Sequence, residues 1–538
     1  MASALERLIP GRPDEPGVAA AILKDGEVAE RRCVGAADLA HHVPIGPETR
    51  FHIVSASKTF VAASVLALAA RGTLALDEAI RKYLPELGPD IDRPRPVTIR
   101  HLLSMTSGLR DALEIARLRG EWQPSPSRVQ DLLDLAFAQV RVSASAGQQY
   151  MYANVNFVLL EEILRRVAGD ADALRRETLY HPLGLVATAD RPHEGIVLPG
   201  LASPYVADGK GGWNRATDLL GIAGDTLTTS LDDACRWVVA LGRGRVGDLD
   251  LRAMAVPSTL NDGRPIHYGL GLCIRPYRGL TVLGHTGSQP GYKTHFAYMP
   301  ERDVGVVILS NREDTRTSGL AAEILEAALG DGRFPKTHPA RVARPEPHRG
   351  SDLSGTYVDP ATGEWVRLTL EADGVLAGET LGDALWLYER SPCVFGHDED
   401  YRCDVPTEAV FAFDGEVVTC RLDRGGHVSQ MVKQAPPAYA PAELAAFAGT
   451  YDGGDIGSRH MIALVGDGLA IRYGIGFDRG RVFSMQPIAP DIFLVRPTAP
   501  GVAHKHVFRF LRNDTGAVDV VLVTLDRLKG VQLRRAAA

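Results

Sequence analysis

Ser55, Ala56, Ser57 and Lys58 lead directly into an apolar stretch, Thr59 to Arg71, whose spacing predicts a helix. Ser55 is expected in its first turn, with Lys58 one turn further along the same face. That pairing sets an amine against a hydroxyl. A serine hydroxyl is a poor nucleophile until a base takes its proton, and a lysine serves as that base when burial or a nearby cation lowers its pKa. The helix N-terminus adds a backbone N–H where an oxyanion would form. A serine in this position also reads as an ordinary N-cap. The lysine is less ordinary, because arginine outnumbers lysine 50 to nine in this chain and an apolar helix has no solvated face for it.

Two further clusters carry matching chemistry. In Tyr150-Met151-Tyr152-Ala153-Asn154, which precedes the helical pattern Asn156 to Ala168, a tyrosine beside an ammonium can exchange protons with the serine and with a leaving group. The asparagine two residues on can hydrogen-bond both the lysine and a substrate carbonyl. A core tyrosine and a turn asparagine are the structural alternative. In Gly284-His285-Thr286-Gly287-Ser288, after the strand pattern Leu280 to Leu283, glycine lets a ligand approach the backbone and the Ser288 amide could supply a second oxyanion donor. His285 is one of sixteen histidines, and its structural alternative is a strand end running into the turn at Gln289-Pro290-Gly291.

The elements that must position these residues follow from periodicity. Gly17 to Val28 reads as two strands around the Asp25-Gly26 turn, Ile99 to Met105 and Leu320 to Leu329 as helices, and Val304 to Leu309 as a strand. Terminal strands around a helical middle predict an α/β sandwich with an all-α lobe. The stretch from about Gly330 to Gly350 is dense in proline and charge and reads as a linker. Beyond it, Leu353-Ser354-Gly355-Thr356-Tyr357 returns as Phe447-Ala448-Gly449-Thr450-Tyr451, and Asp373-Gly374 returns as Asp467-Gly468, both displaced by 94 residues. Alternating stretches such as Trp365 to Leu370 and Val520 to Leu525 between Asp-Gly turns make each copy an antiparallel barrel. The expected architecture is α+β and multidomain: a catalytic region 1–332, a linker 333–350, a first barrel 351–436 and a second 437–538.

Ser-x-x-Lys, Tyr-x-Asn and His-x-Gly in this order resemble the signature elements of the serine β-lactamase-like, penicillin-recognising superfamily. Thr98 to Leu109, His181-Pro182-Leu183-Gly184-Leu185 and Tyr268-Gly269-Leu270-Gly271-Leu272 agree with it, over about residues 10 to 330. The resemblance implies Ser55 as acylated nucleophile, Lys58 and Tyr152 as proton-transfer pair, and the amides of Ser55 and Ser288 as oxyanion hole. Asn154 and His285 would position the substrate and tune the pair, His285 counting with the catalytic residues and Gly287 and Ser288 with Asn154 as substrate-binding. β-Lactamases have lysine where this chain has His285, and a neutral imidazole is a weaker carboxylate partner, which disfavours β-lactam and C-terminal carboxylate substrates.

A catalytic region followed by two barrels is similar to the D-aminopeptidases, which release D-amino acids from the free N-terminus of short peptides, amides and esters. In that family a loop of the last barrel enters the site and offers a carboxylate to the substrate ammonium. The matching stretch is Gly474 to Arg481, slightly shorter than the family's, with Asp478 as its acid; pairing of Asp478 with Arg479 or Arg481 is the alternative. The rival readings are an esterase, amidase or thioesterase-like peptide-releasing enzyme of the same superfamily, and a non-catalytic binding protein on the same fold.

With 59 basic against 66 acidic residues and a net charge of −7, the chain has no basic block to neutralise phosphates, so nucleic-acid partners are not expected. The N-terminus lacks a signal-peptide pattern and no apolar run spans a bilayer, which predicts a cytoplasmic protein without membrane contact. The cysteines at 33, 235, 273, 393, 403 and 420 show no metal-binding spacing and read as reduced thiols, with Cys393 and Cys403 as the one conceivable pair. No metal or organic cofactor is expected. The partner is a small peptide, amide or ester, and a homodimer stays open.

Overall fold

The computed structural model describes residues 3–121, 129–193, 195–217, 226–330, 353–372, 374–382, 384–396, 407–474, 482–499, 502–503 and 505–536. Six antiparallel strands form the central sheet: β1 (Val18–Lys24), β2 (Glu27–Val34), β3 (Cys273–Tyr277), β4 (Leu280–Gln289), β5 (Tyr292–Met299) and β6 (Val304–Ser310). Their order is β3-β4-β5-β6-β1-β2. Strand β1 is apolar on both faces and sits inside the sheet, where it pairs with β6 from Val18↔Ser310 to Lys24↔Val304. The hairpin to β2 turns on Asp25 and Gly26, whose φ angles of 53° and 81° belong to the left-handed region that Asp-Gly tolerates.

Between β2 and β3 the chain builds the helical lobe. Helix α1 (Lys58–Ala70) is buried from Lys58 to Leu68 all the way round, as expected of a helix with no polar face. Trp237 of α4 (Leu231–Arg243) stacks on Phe60 at 4.0 Å between ring centroids and donates its indole N–H to Thr59 Oγ1 at 2.8 Å. Helix α2 (Ala112–Leu118) is capped by Asp111, and α3 (Val155–Ala168) starts at Asn154. Helix α5 (Thr317–Leu329) covers the sheet's other face with Ala321, Ile324 and Leu325.

The two repeats each close into an eight-stranded antiparallel barrel, from Gly355–Val358 to His427–Gln434 and from Gly449–Gly453 to Leu528–Arg535. Closure removes the unpaired edges of an all-β unit of this size. The repeated tyrosine does the same work in both: Tyr357 donates to Leu353 O at 2.9 Å and Tyr451 to Phe447 O at 2.8 Å, with both rings buried. The stretch taken as a linker lies outside the described residues, as does Cys403. Cys33, Cys235, Cys273, Cys393 and Cys420 form no disulfide among the described residues.

The second barrel shares its core with the catalytic region, because Ile115 and Leu118 of α2 pack among Leu444, Phe447 and Phe510. Arg110, 4% exposed, pairs with Asp455 at 2.8 Å across the same junction. Tyr451→Phe and Tyr357→Phe should each lower stability by about 1 kcal/mol, the net worth of a buried hydrogen bond, without changing the fold. Urea denaturation of the two variants checks this, and equal small losses are expected from equivalent corners.

Candidate active site

Ser55 lies in a 3-10 turn, Val54–Ser57, that precedes α1 rather than in the first turn of α1 itself. The reason is steric. Val54 takes φ 50°, a left-handed conformation that is costly for a β-branched residue. Strand β4 crosses so closely that a Cβ on Gly287 would stand 2.1 Å from Ile53 O and 3.3 Å from Ser55 N. The backbone of the Ser55 turn therefore leaves no room for a side chain at Gly287. Strand β3 stops pairing at Gly284, so beyond that point this side of β4 faces the Ser55 turn.

Lys58 is fully buried, and its Nζ donates to Ser55 Oγ at 3.1 Å and to Asn154 Oδ1 at 3.1 Å. The rings of Tyr152 and Phe157 flank the same ammonium, with centroids at 5.2 and 5.5 Å. This satisfies a charge taken out of water. The three sequence clusters thus meet at one point, although they come from α1, the loop before α3, and β4.

The Tyr152 loop is held by the stretch Thr98 to Leu109. Met151 N donates to Met105 O at 2.9 Å, Gly147 N to Thr106 O at 2.7 Å, and Ser143 N to Gly108 O at 2.8 Å. A Cβ on Gly108 would meet Ala144 O at 1.9 Å, so the two segments touch backbone to backbone. Asn154 is then fixed from behind. Asp111 accepts from Asn154 N with one carboxylate oxygen and caps α2 through Leu113 N with the other.

His285 is 3% exposed. Its Nδ1 lies 2.7 Å from Thr286 O and its Nε2 3.1 Å from Tyr268 OH. A carbonyl only accepts, so Nδ1 carries the proton and Nε2 accepts from the phenol. Burial, followed by the charge of Lys58, pushes this imidazole down to about 3. The ring at neutral pH is an uncharged wall of the site with both nitrogens engaged. Ser288 is exposed in the cleft, and Lys293 donates to its Oγ at 2.7 Å while pairing with Glu313 at 2.8 Å. Asp478 and its loop fall outside the described residues.

The cleft above Ser55 has a volume of about 550 Å³ and is walled by all three units of the chain. Trp365, Leu381 and Met431 of the first barrel and Lys505, Asp526 and Arg527 of the second face Tyr152 and Ser288 of the catalytic region. The junction is tied by Glu364, which accepts from Lys529 Nζ at 2.5 Å, from His427 at 2.7 Å and from Ser429. Burial opposes its charge, but Lys529 and His427 hold its carboxyl well below the usual range. Each carboxylate described in the cleft already has a cation: Glu114 with Arg117, Glu313 with Lys293, Glu364 with Lys529, and Asp526 with Arg527. Among the described residues no group of three or more His, Cys, Asp or Glu is placed to hold a metal ion.

Sequence reading missed Asp111, Tyr268, Glu364 and Arg527 as parts of this site. Asp111 carried a signal, since Asp-Ala-Leu-Glu is a helix-start pattern, and Tyr268 opened a stretch that agrees with the superfamily; Glu364 and Arg527 carried none, being brought in by packing between units.

The catalytic region, residues 5–330, matches the family model described as Beta-lactamase. The chain belongs to the β-lactamase family. This β-lactamase-family hydrolase is 27% identical over 502 residues to a D-aminopeptidase of Cereibacter sphaeroides, covering 91% of this chain and 90% of that protein. Its fold is similar to the octameric penicillin-binding protein homologue from Pyrococcus abyssi, with TM-score 0.54 and 22% identity over 80% of this chain and 97% of the other. It is also similar to SurE, with TM-score 0.51 and 18% identity over 99% of this chain and 96% of the other.

Three buried imidazoles make this molecule acid-sensitive. Burial pushes His460 down to about 3, as it does His285, and His295 well below its usual range. In the unfolded chain each titrates near about 6.5, so as pH falls below that value the unfolded state takes up protons that the folded state refuses. Stability should fall from about pH 6.5 toward 3, with about two to three protons bound on unfolding. Glu364 adds a loss of the same sign below about pH 4.5. Urea melts at stepped pH measure the slope, and a flat profile would contradict the neutral burial of these rings.

Proposed function

We propose that the chain is a serine hydrolase acting through an acyl-enzyme on Ser55, and an aminopeptidase that releases N-terminal D-amino acids from short peptides, amides or esters. The observation that carries the first part is the 3.1 Å contact of Ser55 Oγ with a fully buried Lys58 ammonium, itself held by Asn154 beside the Tyr152 ring. That places the nucleophile against the Lys58–Tyr152 pair, which accepts its proton when the lysine is a neutral amine or the tyrosine a phenolate.

The steps balance with these residues alone. Ser55 passes its proton to the Lys58–Tyr152 pair as Oγ bonds to the scissile carbonyl carbon. The oxyanion forms between the amides of the Ser55 turn and of Ser288 on β4. The pair returns the proton to the leaving amine as the C–N bond breaks, and a water then repeats the sequence on the acyl-enzyme to free Ser55. Asn154 holds Lys58 and borders the acyl group, while His285 acts as a neutral wall.

The preference for a free amine and for D-stereochemistry is supported by the D-aminopeptidase relatives at 27% and 30% identity. Asp478 is the proposed ammonium partner, a role left open because the cleft carboxylates described above already have cations of their own.

Hydrolysis of D-alanine, L-alanine and N-acetyl-D-alanine p-nitroanilides tests the proposal. The free D-substrate alone should turn over, and Ser55→Ala should lower its kcat by about a thousandfold or more while leaving the melt unchanged. Turnover of the acetylated compound would move the assignment to an esterase or amidase. Asp478→Asn should raise KM for the free-amine substrate by about tenfold, the worth of one charge-assisted contact, and leave kcat for an ester without an amine untouched.

A further inference from the structure

The second barrel reaches the phenol of Tyr152. Its last two strands, Val518–Leu525 and Leu528–Arg535, meet in a turn whose backbone is tied to the catalytic region twice. Arg527 O accepts from Asp111 N at 3.2 Å, and Lys529 N donates to Ser143 Oγ at 3.1 Å. With its backbone held there, Arg527 lays its guanidinium over the Tyr152 ring, 4.8 Å from the centroid. Lys58 Nζ stands 5.2 Å from the same centroid. The third sequence element contributes only neutral His285, so the second cation beside this phenol comes from a different unit of the chain.

Resting on the reading of Tyr152 as proton partner of Lys58, we propose that Arg527 is a positioning residue: it sets the Tyr152 ring and favours the phenolate that receives the Ser55 proton. A cation within about 6 Å favours a neighbouring ionised form. Around the Tyr152 ring stand Lys58 from α1, Arg527 from the barrel and His285 from β4, the last with its centroid 6.1 Å away, and Tyr268 from the segment before β3 interacts electrostatically with the same phenol. Behind Arg527 stand Asp111, Glu114 of α2 and Asp526, the last at 3.4 Å from its Nε. Burial works against the Arg527 charge, but Asp526, Asp111 and Glu114 outweigh it and keep the guanidinium protonated. Asp526 stays ionised because Arg527, Arg424 and Lys529 overcome its burial, so it is the anion that most offsets Arg527. Arg527 transfers no proton and forms no bond in the reaction.

The test is the rate at which a fluorophosphonate labels Ser55 between pH 5 and 10, a step that forms the Oγ–P bond, breaks P–F, releases fluoride and hands the serine proton to the Lys58–Tyr152 pair. It needs no knowledge of the natural substrate. Arg527→Met should move the acid limb of the profile up by about one pH unit and slow labelling at pH 7 by roughly tenfold, while Arg527→Lys restores most of the rate. Asp526→Asn, which removes the offsetting anion, should move the limb the other way, and it keeps the proposal testable should Arg527→Met fail to fold. Slower labelling with an unmoved limb, or no rescue by lysine, would overturn the assignment and leave Arg527 a structural contact. Failure of the underlying reading looks different: the wild type does not label, or Tyr152→Phe labels like wild type.

Discussion

A lysine ammonium with no access to water is the constraint around which this molecule is organised. Lys58 sits in a helix that is apolar on every side, and an uncompensated charge there would unfold the lobe or lose its proton. The ammonium is instead met by Ser55, Asn154 and two aromatic rings. Each of those partners must be delivered from a separate element at hydrogen-bond distance, and that requirement explains much of the surrounding architecture. The strained φ at Val54, the glycine at 287 and the backbone contact at Gly108 all let segments approach more closely than ordinary side chains permit.

Asp111 carries the constraint outward. Its carboxylate fixes the Asn154 backbone and caps α2, its own N–H is spent on Arg527 of the last barrel, and the helix it caps offers Ile115 and Leu118 to the barrel core. One residue thus couples the position of the lysine's partner to the docking of the last barrel through Arg527, more than 400 residues further along the chain. The barrels are accordingly walls of the active site rather than appendages. The interface is polar where it lines the cleft, at Glu364, Lys529 and His427, and where it is shut the apolar contacts of Ile115 and Leu118 are joined by the buried Arg110–Asp455 pair.

The third element shows how a shared framework is retuned. A histidine held between Tyr268 and Thr286 cannot supply charge, so the electrostatics of the cleft depend on what the neighbouring units bring. In this chain a residue of the second barrel, Arg527, stands over the Tyr152 ring although it bears no sequence relation to the three elements.

What the amino-acid sequence determined by itself was local or repeated. The order of strands and helices, the Asp25-Gly26 hairpin, the two barrels and their matching tyrosines follow from periodicity and from a 94-residue repeat. Ser55, Lys58, Tyr152 and Asn154 were legible because residue type and short spacing limit their chemistry. The tertiary structure alone decided that Ser55 occupies a 3-10 turn, that Gly287 lies against the backbone of Ile53, and that His285 is neutral. It also decided that Asp111, Glu364 and Arg527 belong to the cleft. These outcomes depend on distances between segments far apart in the chain and on the exclusion of water between them. Burial and close approach are properties of packed surfaces, and no local pattern of residues encodes them.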